Sequence, residues 1–115
     1  KNISALKAQK AVYEQEVHRY EKSVLSAFRE VQGRIVNFSK MKETYESRKA
    51  LEQAAKSYVE LAQLQYINGV INYLDVLDAQ REYFDAQISL SNAIRDELIA
   101  VVQLYKALGG GWQVQ

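Results

Sequence analysis

From the first turn onward the apolar residues Ile3, Leu6, Tyr13, Val17, Tyr20 and Val24 fall in alternating steps of three and four, with Lys10 the one polar interruption. That is the heptad rhythm of a helix packed along a coiled-coil seam. The rhythm then reads Tyr20, Val24, Phe28, Val31, an eleven-residue step that predicts a local relaxation of left-handed supercoiling, before Ile35, Phe38 and Tyr45 restore the alternation. The following stretch, ALEQAAKSYVELAQLQY, is built from good helix formers and carries the pattern to Tyr66. Between Asn2 and Asn68 the only interruption is Gly33, and one isolated glycine costs about 1 kcal/mol without ending a helix. The pattern predicts one helix over about residues 3–67, roughly 100 Å long at ~1.5 Å per residue. A break at Gly33 would instead give a three-helix bundle.

Asn68-Gly69 is a turn pair, so a tip is expected over about residues 68–72. Asn72 followed by Asp75 has the form of an N-terminal cap, and Asp75 and Asp78 stand where a helix dipole favours anions. A second helix is predicted over about residues 73–108, roughly 55 Å long, with Lys106 in its last turn and Gly109 at the left-handed position beyond. The fold class is therefore all-α, a long antiparallel coiled-coil hairpin.

Folding the second helix back sets Leu108 opposite the neighbourhood of Gln32. The stripe Ile3, Leu6, Tyr13, Val17, Tyr20, Val24, Phe28, Val31 then overhangs, and an apolar seam without a partner predicts subunit or helix packing and self-association. The second helix carries two apolar stripes. One is Leu77, Phe84, Ile88, Leu98, Val102 and Tyr105; the other is Tyr73, Val76, Tyr83, Leu90, Ile94, Val101, Leu104 and Leu108. A helix in a closed ring touches a neighbour on each side, although on pattern alone a four-helix bundle with a wide apolar face fits as well. Apolar Ile67, Val70, Ile71, Tyr73 and Leu74 around the turn point to a contact surface at the far end of a rod.

Composition narrows the picture. There is no Pro and no Cys, which leaves little to interrupt a helix and excludes disulfides and thiolate metal sites. No apolar run reaches the roughly 18 residues of a membrane-spanning helix, since residues 98–108 are broken by Gln103 and Lys106. The chain begins at Lys1 without Met or a signal peptide and reads as a piece of something larger. A net charge of +1 argues against nucleic acid as a partner. Residues 1–57 carry +5 and residues 58–115 carry −4, complementary values that would guide pairing of the two helices more than stabilise it.

Candidate chemistry is sparse. His18 with Glu14 one helical turn before it reads as a solvated pair rather than a metal site. Glu14, Glu16, Glu21, Asp75, Asp78, Asp96 and Glu97 are spread along rods and form no pocket for acid-base work. The glycines at 109–111 follow a helix rather than start one, so they read as a cap and hinge leading a Gly-rich tail over 109–115, not a phosphate cradle. The tyrosines fall at seam spacing and read as packing. No enzyme activity, cofactor or metal is expected.

Two blocks carry a resemblance to a known family. Tyr66-x-x-Gly69-x-x-Asn72-Tyr73-Leu74-x-Val76-Leu77-Asp78-Ala79-Gln80-Arg81, followed by Leu104-Tyr105-Lys106-Ala107-Leu108-Gly109-Gly110-Gly111-Trp112, closely resembles the TolC/OprM-type outer-membrane efflux proteins. Tyr20-Glu21-Lys22 and Ala27-Phe28-Arg29-Glu30-Val31 also look like the family's long helix, so the resemblance covers essentially the whole chain. It implies a trimeric duct in the outer membrane, with four barrel strands per subunit and a periplasmic tunnel of long helices. The duct joins an inner-membrane pump through a periplasmic adaptor and exports drugs or other small molecules as a passive conduit. This chain would be the periplasmic helical hairpin of the second structural repeat. The resemblance places Tyr66 and Gly69 at the channel gate. It places Gly69, Val70, Ile71, Asn72, Tyr73, Leu74, Val76, Leu77 and Asp78 on the adaptor-docking surface, with opening by untwisting of helix pairs at the tip. Ile71 departs from the charged or polar residue some members carry there, so a salt-bridge latch at that position is not expected. The alternative is a coiled-coil interaction module, either a generic scaffold or an efflux adaptor hairpin. An adaptor hairpin, however, should emerge from lipoyl-like β segments rather than end in ALGGGW.

Overall fold

The computed structural model describes residues 2–110, which form two long helices and a terminal turn. Helix α1, Asn2–Ile67, is a single element of 66 residues. It runs through Gly33 unbroken, and a Cβ built there would meet nothing within 4 Å, so nothing among the described residues requires the glycine. The three-helix alternative does not form. Helix α2, Tyr73–Tyr105, folds back antiparallel, and the molecule is a rod of 101 × 23 × 15 Å. The α-helix proper stops at Tyr105, short of the expected Leu108, because the last turn widens over Lys106–Gly110 into π-helical form. Gly109, at φ 119°, supplies the left-handed step that ends it. Of the Gly-rich tail, residues 111–115 lie outside the described residues, Gly111 and Trp112 of the resemblance among them.

Two contacts set the register. Near the open end Arg34 Nη1 donates to Gln103 Oε1 at 3.1 Å, and at the tip the rings of Tyr66 and Tyr73 meet. From Ala27 towards the tip α1 turns Ala27, Val31, Arg34, Phe38, Met41, Tyr45, Glu52, Ala55, Val59 and Ala62 inward, all at least half-buried. These positions keep the heptad spacing without a slip. The predicted eleven-residue step is therefore not what the contact follows: the seam passes through Ala27, while Phe28 and Ile35 are exposed on its shoulder.

On α2 the seam alternates a large residue with an alanine. Val76, Tyr83, Leu90, Glu97 and Leu104 occupy one set of positions, and Ala79, Ala86, Ala93, Ala100 and Ala107 the other, every seventh residue. Ala79 is 0% and Ala100 1% exposed. Stepping by heptads from the two ends puts Phe38 level with Ala100, Tyr45 with Ala93 and Val59 with Ala79. Bulk on α1 meets a methyl group on α2, which lets two rods approach closely while the large side chains fill the space between them. Arg34, Glu52 and Glu97 put polar groups at seam positions, a device that penalises slipped registers.

Charge does not hold the pair together. Among the described residues the ion pairs His18–Glu21, Asp78–Arg81 and Arg95–Asp96 each lie within one helix and are exposed, where such pairs contribute about 0–1 kcal/mol. Among the described residues the overhang is shorter than expected: Ile3, Leu6, Tyr13, Val17, Tyr20, Val24 and Phe28 are exposed, but Val31, expected to overhang with them, turns into the seam because α1 gains cover from Ala27 onward. Both α2 stripes leave surface behind. Leu77, Phe84, Ile88, Leu98, Val102 and Tyr105 all face solvent, and from the second stripe Tyr73, Ile94, Val101 and Leu108 remain exposed beside the seam.

Candidate functional site

The tip is two helix caps placed back to back. At the end of α1 the Val70 N–H donates to the Gln65 carbonyl at 2.8 Å and the Gly69 N–H to the Tyr66 carbonyl at 3.0 Å, the paired bonds of a Schellman motif. Gly69 takes the left-handed residue of that motif at φ 75°, where an L side chain would be strained. The Leu64 carbonyl accepts from both the backbone N–H and the side-chain Nδ2 of Asn68, at 3.1 and 2.8 Å. At the start of α2, extended Asn72 accepts the Asp75 N–H on its Oδ1 at 3.1 Å, and the Asp75 carboxylate sits in the first turn. Each cap is local, so the tip geometry follows from a few residues.

These caps set which side chains look outward. Ile71 turns in, half-buried against the cluster of Val59, Ala62, Val76 and Ala79, with Tyr83 packed on the same cluster. Val76, at 2% exposure, is part of that core rather than of the surface. Ile67, Val70, Leu74, Leu77 and half-exposed Tyr73 point away from it. Ile67, at 78%, is more exposed than any apolar residue of the overhang. Asp78 reaches Arg81 at 3.9 Å along the same helix, which leaves its charge at the surface. Of the predicted docking residues, then, Ile71 and Val76 anchor the tip, Gly69 and Asn72 shape its backbone, and Val70, Tyr73, Leu74 and Leu77 supply an apolar cap edged by the Asp78 carboxylate.

Tyr66, the predicted gate residue, closes the heptad series of α1 and meets Tyr73 in a tilted ring contact, with centroids 5.3 Å apart and planes inclined by 56°. Sequence reading named both residues without pairing them. Their spacing across a short turn is a cross-helix relation, and only the register makes it visible. The alanine ladder was missed for a different reason: large apolar residues dominate a periodicity search, although alanine at every seventh position is itself a legible signal. Elsewhere a groove of about 540 Å³ between the helices is lined by Arg48, Leu51, Ala55, Glu82, Asp85 and Ser89, an open channel along the rod rather than a closed pocket.

The tip can be tested by its own chemistry. Asn72→Ala removes the acceptor for the Asp75 N–H and is expected to cost about 1 kcal/mol. Gly69→Ala is expected to cost about 1–2 kcal/mol for backbone strain alone, since its Cβ would meet nothing within 4 Å. Thermal melting followed by circular dichroism reads both losses, and Gly69→Asn, which tolerates the left-handed region, should lose less than Gly69→Ala.

Comparison with known proteins adds an independent line. The family model described as outer membrane efflux protein matches residues 1–110. The solvent efflux pump outer membrane protein SrpC of Pseudomonas putida is 46% identical over 98 residues, covering 85% of this chain and 21% of its own length. The antibiotic efflux pump outer membrane protein ArpC of Pseudomonas putida is 39% identical over 99 residues, 86% of this chain and 20% of its own. Outer membrane protein OprJ of Pseudomonas aeruginosa is 34% identical over 111 residues, 96% of this chain and 22% of its own. No solved structure matches. This chain spans about a fifth of the length of the curated relatives it matches.

Proposed function

Since this chain belongs to the outer membrane efflux protein family, we propose that it is the periplasmic tunnel segment of a trimeric outer-membrane duct, working with an inner-membrane pump and a periplasmic adaptor. It is not an enzyme. The duct is a passive conduit for drugs or other small molecules, a reading supported by relatives named for solvent and antibiotic efflux. The observation that carries the reading is the tip: a rigidly capped turn that keeps Ile67, Val70 and Leu74 exposed at the end of a 101 Å rod. A solvated loop would gain nothing from those side chains, whereas a docking surface needs them.

In this reading Tyr66 and Gly69 stand at the channel gate, and the surface from Gly69 to Asp78 meets the adaptor. The exposed stripes of the overhang and of α2 are the faces on which neighbouring tunnel helices close the ring. The rod's stiffness matters for the mechanism, because a force applied at the tip moves a whole helix pair rather than bending a loop.

Crosslinking tests the docking surface. In the full-length protein, Val70→Cys and Leu74→Cys paired with cysteines at an adaptor's helical tip should crosslink in cells, and Ala8→Cys on the overhang should not. Crosslinks from Ala8→Cys with none from the tip would place the adaptor elsewhere and sink the assignment.

A further inference from the structure

We propose that Tyr73 is a positioning residue for Tyr66, holding the gate tyrosine by ring contact across the turn. The proposal rests on the reading of Tyr66 as the gate and adds the element that orients it. Tyr66 lies in the last turn of α1, is 45% exposed, and so has no surrounding core to fix its side chain. The aromatic neighbour found against it is Tyr73, the first residue of α2, at 5.3 Å and a tilt of 56°, within the range at which ring pairs attract beyond their buried area.

The backbone on either side makes this contact stiff. Tyr66 offers its own carbonyl to the Gly69 N–H, so the residue that carries the ring is also a member of the Schellman motif. Tyr73 directly follows the Asn72 cap, whose side-chain bond to the Asp75 N–H fixes where α2 begins. The ring pair therefore ties the two caps to each other from the outside, opposite in role to Ile71, which ties the turn to the core. Any movement that separates the end of α1 from the start of α2, or rotates one about its axis, must first part the two rings.

An aromatic pair of this kind shifts a two-state equilibrium by about two- to tenfold. Loss of the Tyr73 ring should release Tyr66 without removing it. Its effect on closure should therefore resemble that of Tyr66→Ala while leaving the tip folded.

The test is single-channel recording of the full-length protein in planar bilayers, with no adaptor present, so that a loss of docking cannot imitate a loss of closure. Tyr73→Ala is expected to raise the conductance or open fraction by about two- to tenfold per subunit, Tyr73→Phe to restore closure, and Tyr66→Ala to match Tyr73→Ala. The double variant should add nothing to either single one. If Tyr66→Ala opens the channel and Tyr73→Ala does not, Tyr73 has no positioning role. If Tyr73→Phe opens it as far as Tyr73→Ala does, the hydroxyl rather than the ring is responsible and the ring-contact proposal is wrong. If Tyr66→Ala leaves the channel closed, the gate reading itself fails, an outcome distinct from the first two.

Discussion

Ala79→Leu is expected to melt well below the parent chain, more so than any exposed alanine given the same change. Ala79 is 0% exposed and packs with Val59, Ala62 and Val76 where the hairpin is nearest its turn. The isobutyl group has no room unless α1 and α2 move apart. Separation is resisted on one side by the capped turn and on the other by the rest of the alanine ladder, Ala86, Ala93 and Ala100. Overpacking of this kind costs about 1–3 kcal/mol. At roughly 4–8 °C per kcal/mol for a chain of about this size, the midpoint should fall by about ten degrees. Ala93→Leu, at the middle of the ladder, should behave likewise. Ala8→Leu on the exposed face of the overhang should stay within about 0.5 kcal/mol of the parent. Equal melting of Ala79→Leu and Ala8→Leu would mean that the close approach of the helices is not what holds the hairpin.

The second large effect concerns association. The overhanging part of α1 continues the heptad of the seam through Val24, Tyr20, Val17, Tyr13, Leu6 and Ile3, all exposed, and a shallow apolar cradle is lined by Tyr20, Val24, Leu25 and Phe28. Burying one such Val or Leu is worth about 1.5–3 kcal/mol. A handful of them in register outweighs the lower range of the roughly 4–15 kcal/mol that association costs. The chain should therefore self-associate in sedimentation equilibrium, with the apparent mass rising with concentration. The double variant Val17→Glu, Val24→Glu should shift the population to monomer and lower the helix content of the overhang, because a lone helix of that length has little else to stabilise it. A parent chain that stays monomeric and fully helical at high concentration would show that the stripe needs no partner.

Much of this molecule is legible from single residues, because its boundaries are made by local chemistry. Gly69 is where the chain needs a positive φ, Asn72 is where four backbone donors need an acceptor, and Gly109 closes the other end. The absence of Pro and of any breaker but Gly33 was enough to predict a helix of the observed length. The candidate site was legible as a place, the turn with its exposed apolar residues, and less so as an arrangement. Val76 and Ile71 belong to the core and Tyr66 belongs with Tyr73, relations between the helices that no spacing within one helix encodes. The same limit explains Phe28. It fits a three-four rhythm about as well as Ala27 does, and only the presence of α2 decides which of two adjacent positions is covered.

By itself, then, the sequence determined that there are two helices, how long they are, where the turn falls, and that more apolar surface exists than one hairpin can hide. These follow from backbone propensity and capping, which act over a few residues. Tertiary structure decided which apolar residues are core and which remain for a partner. That choice depends on how closely two backbones approach, and the alanines at every seventh position of α2 permit it only when α1 lies opposite them in this register.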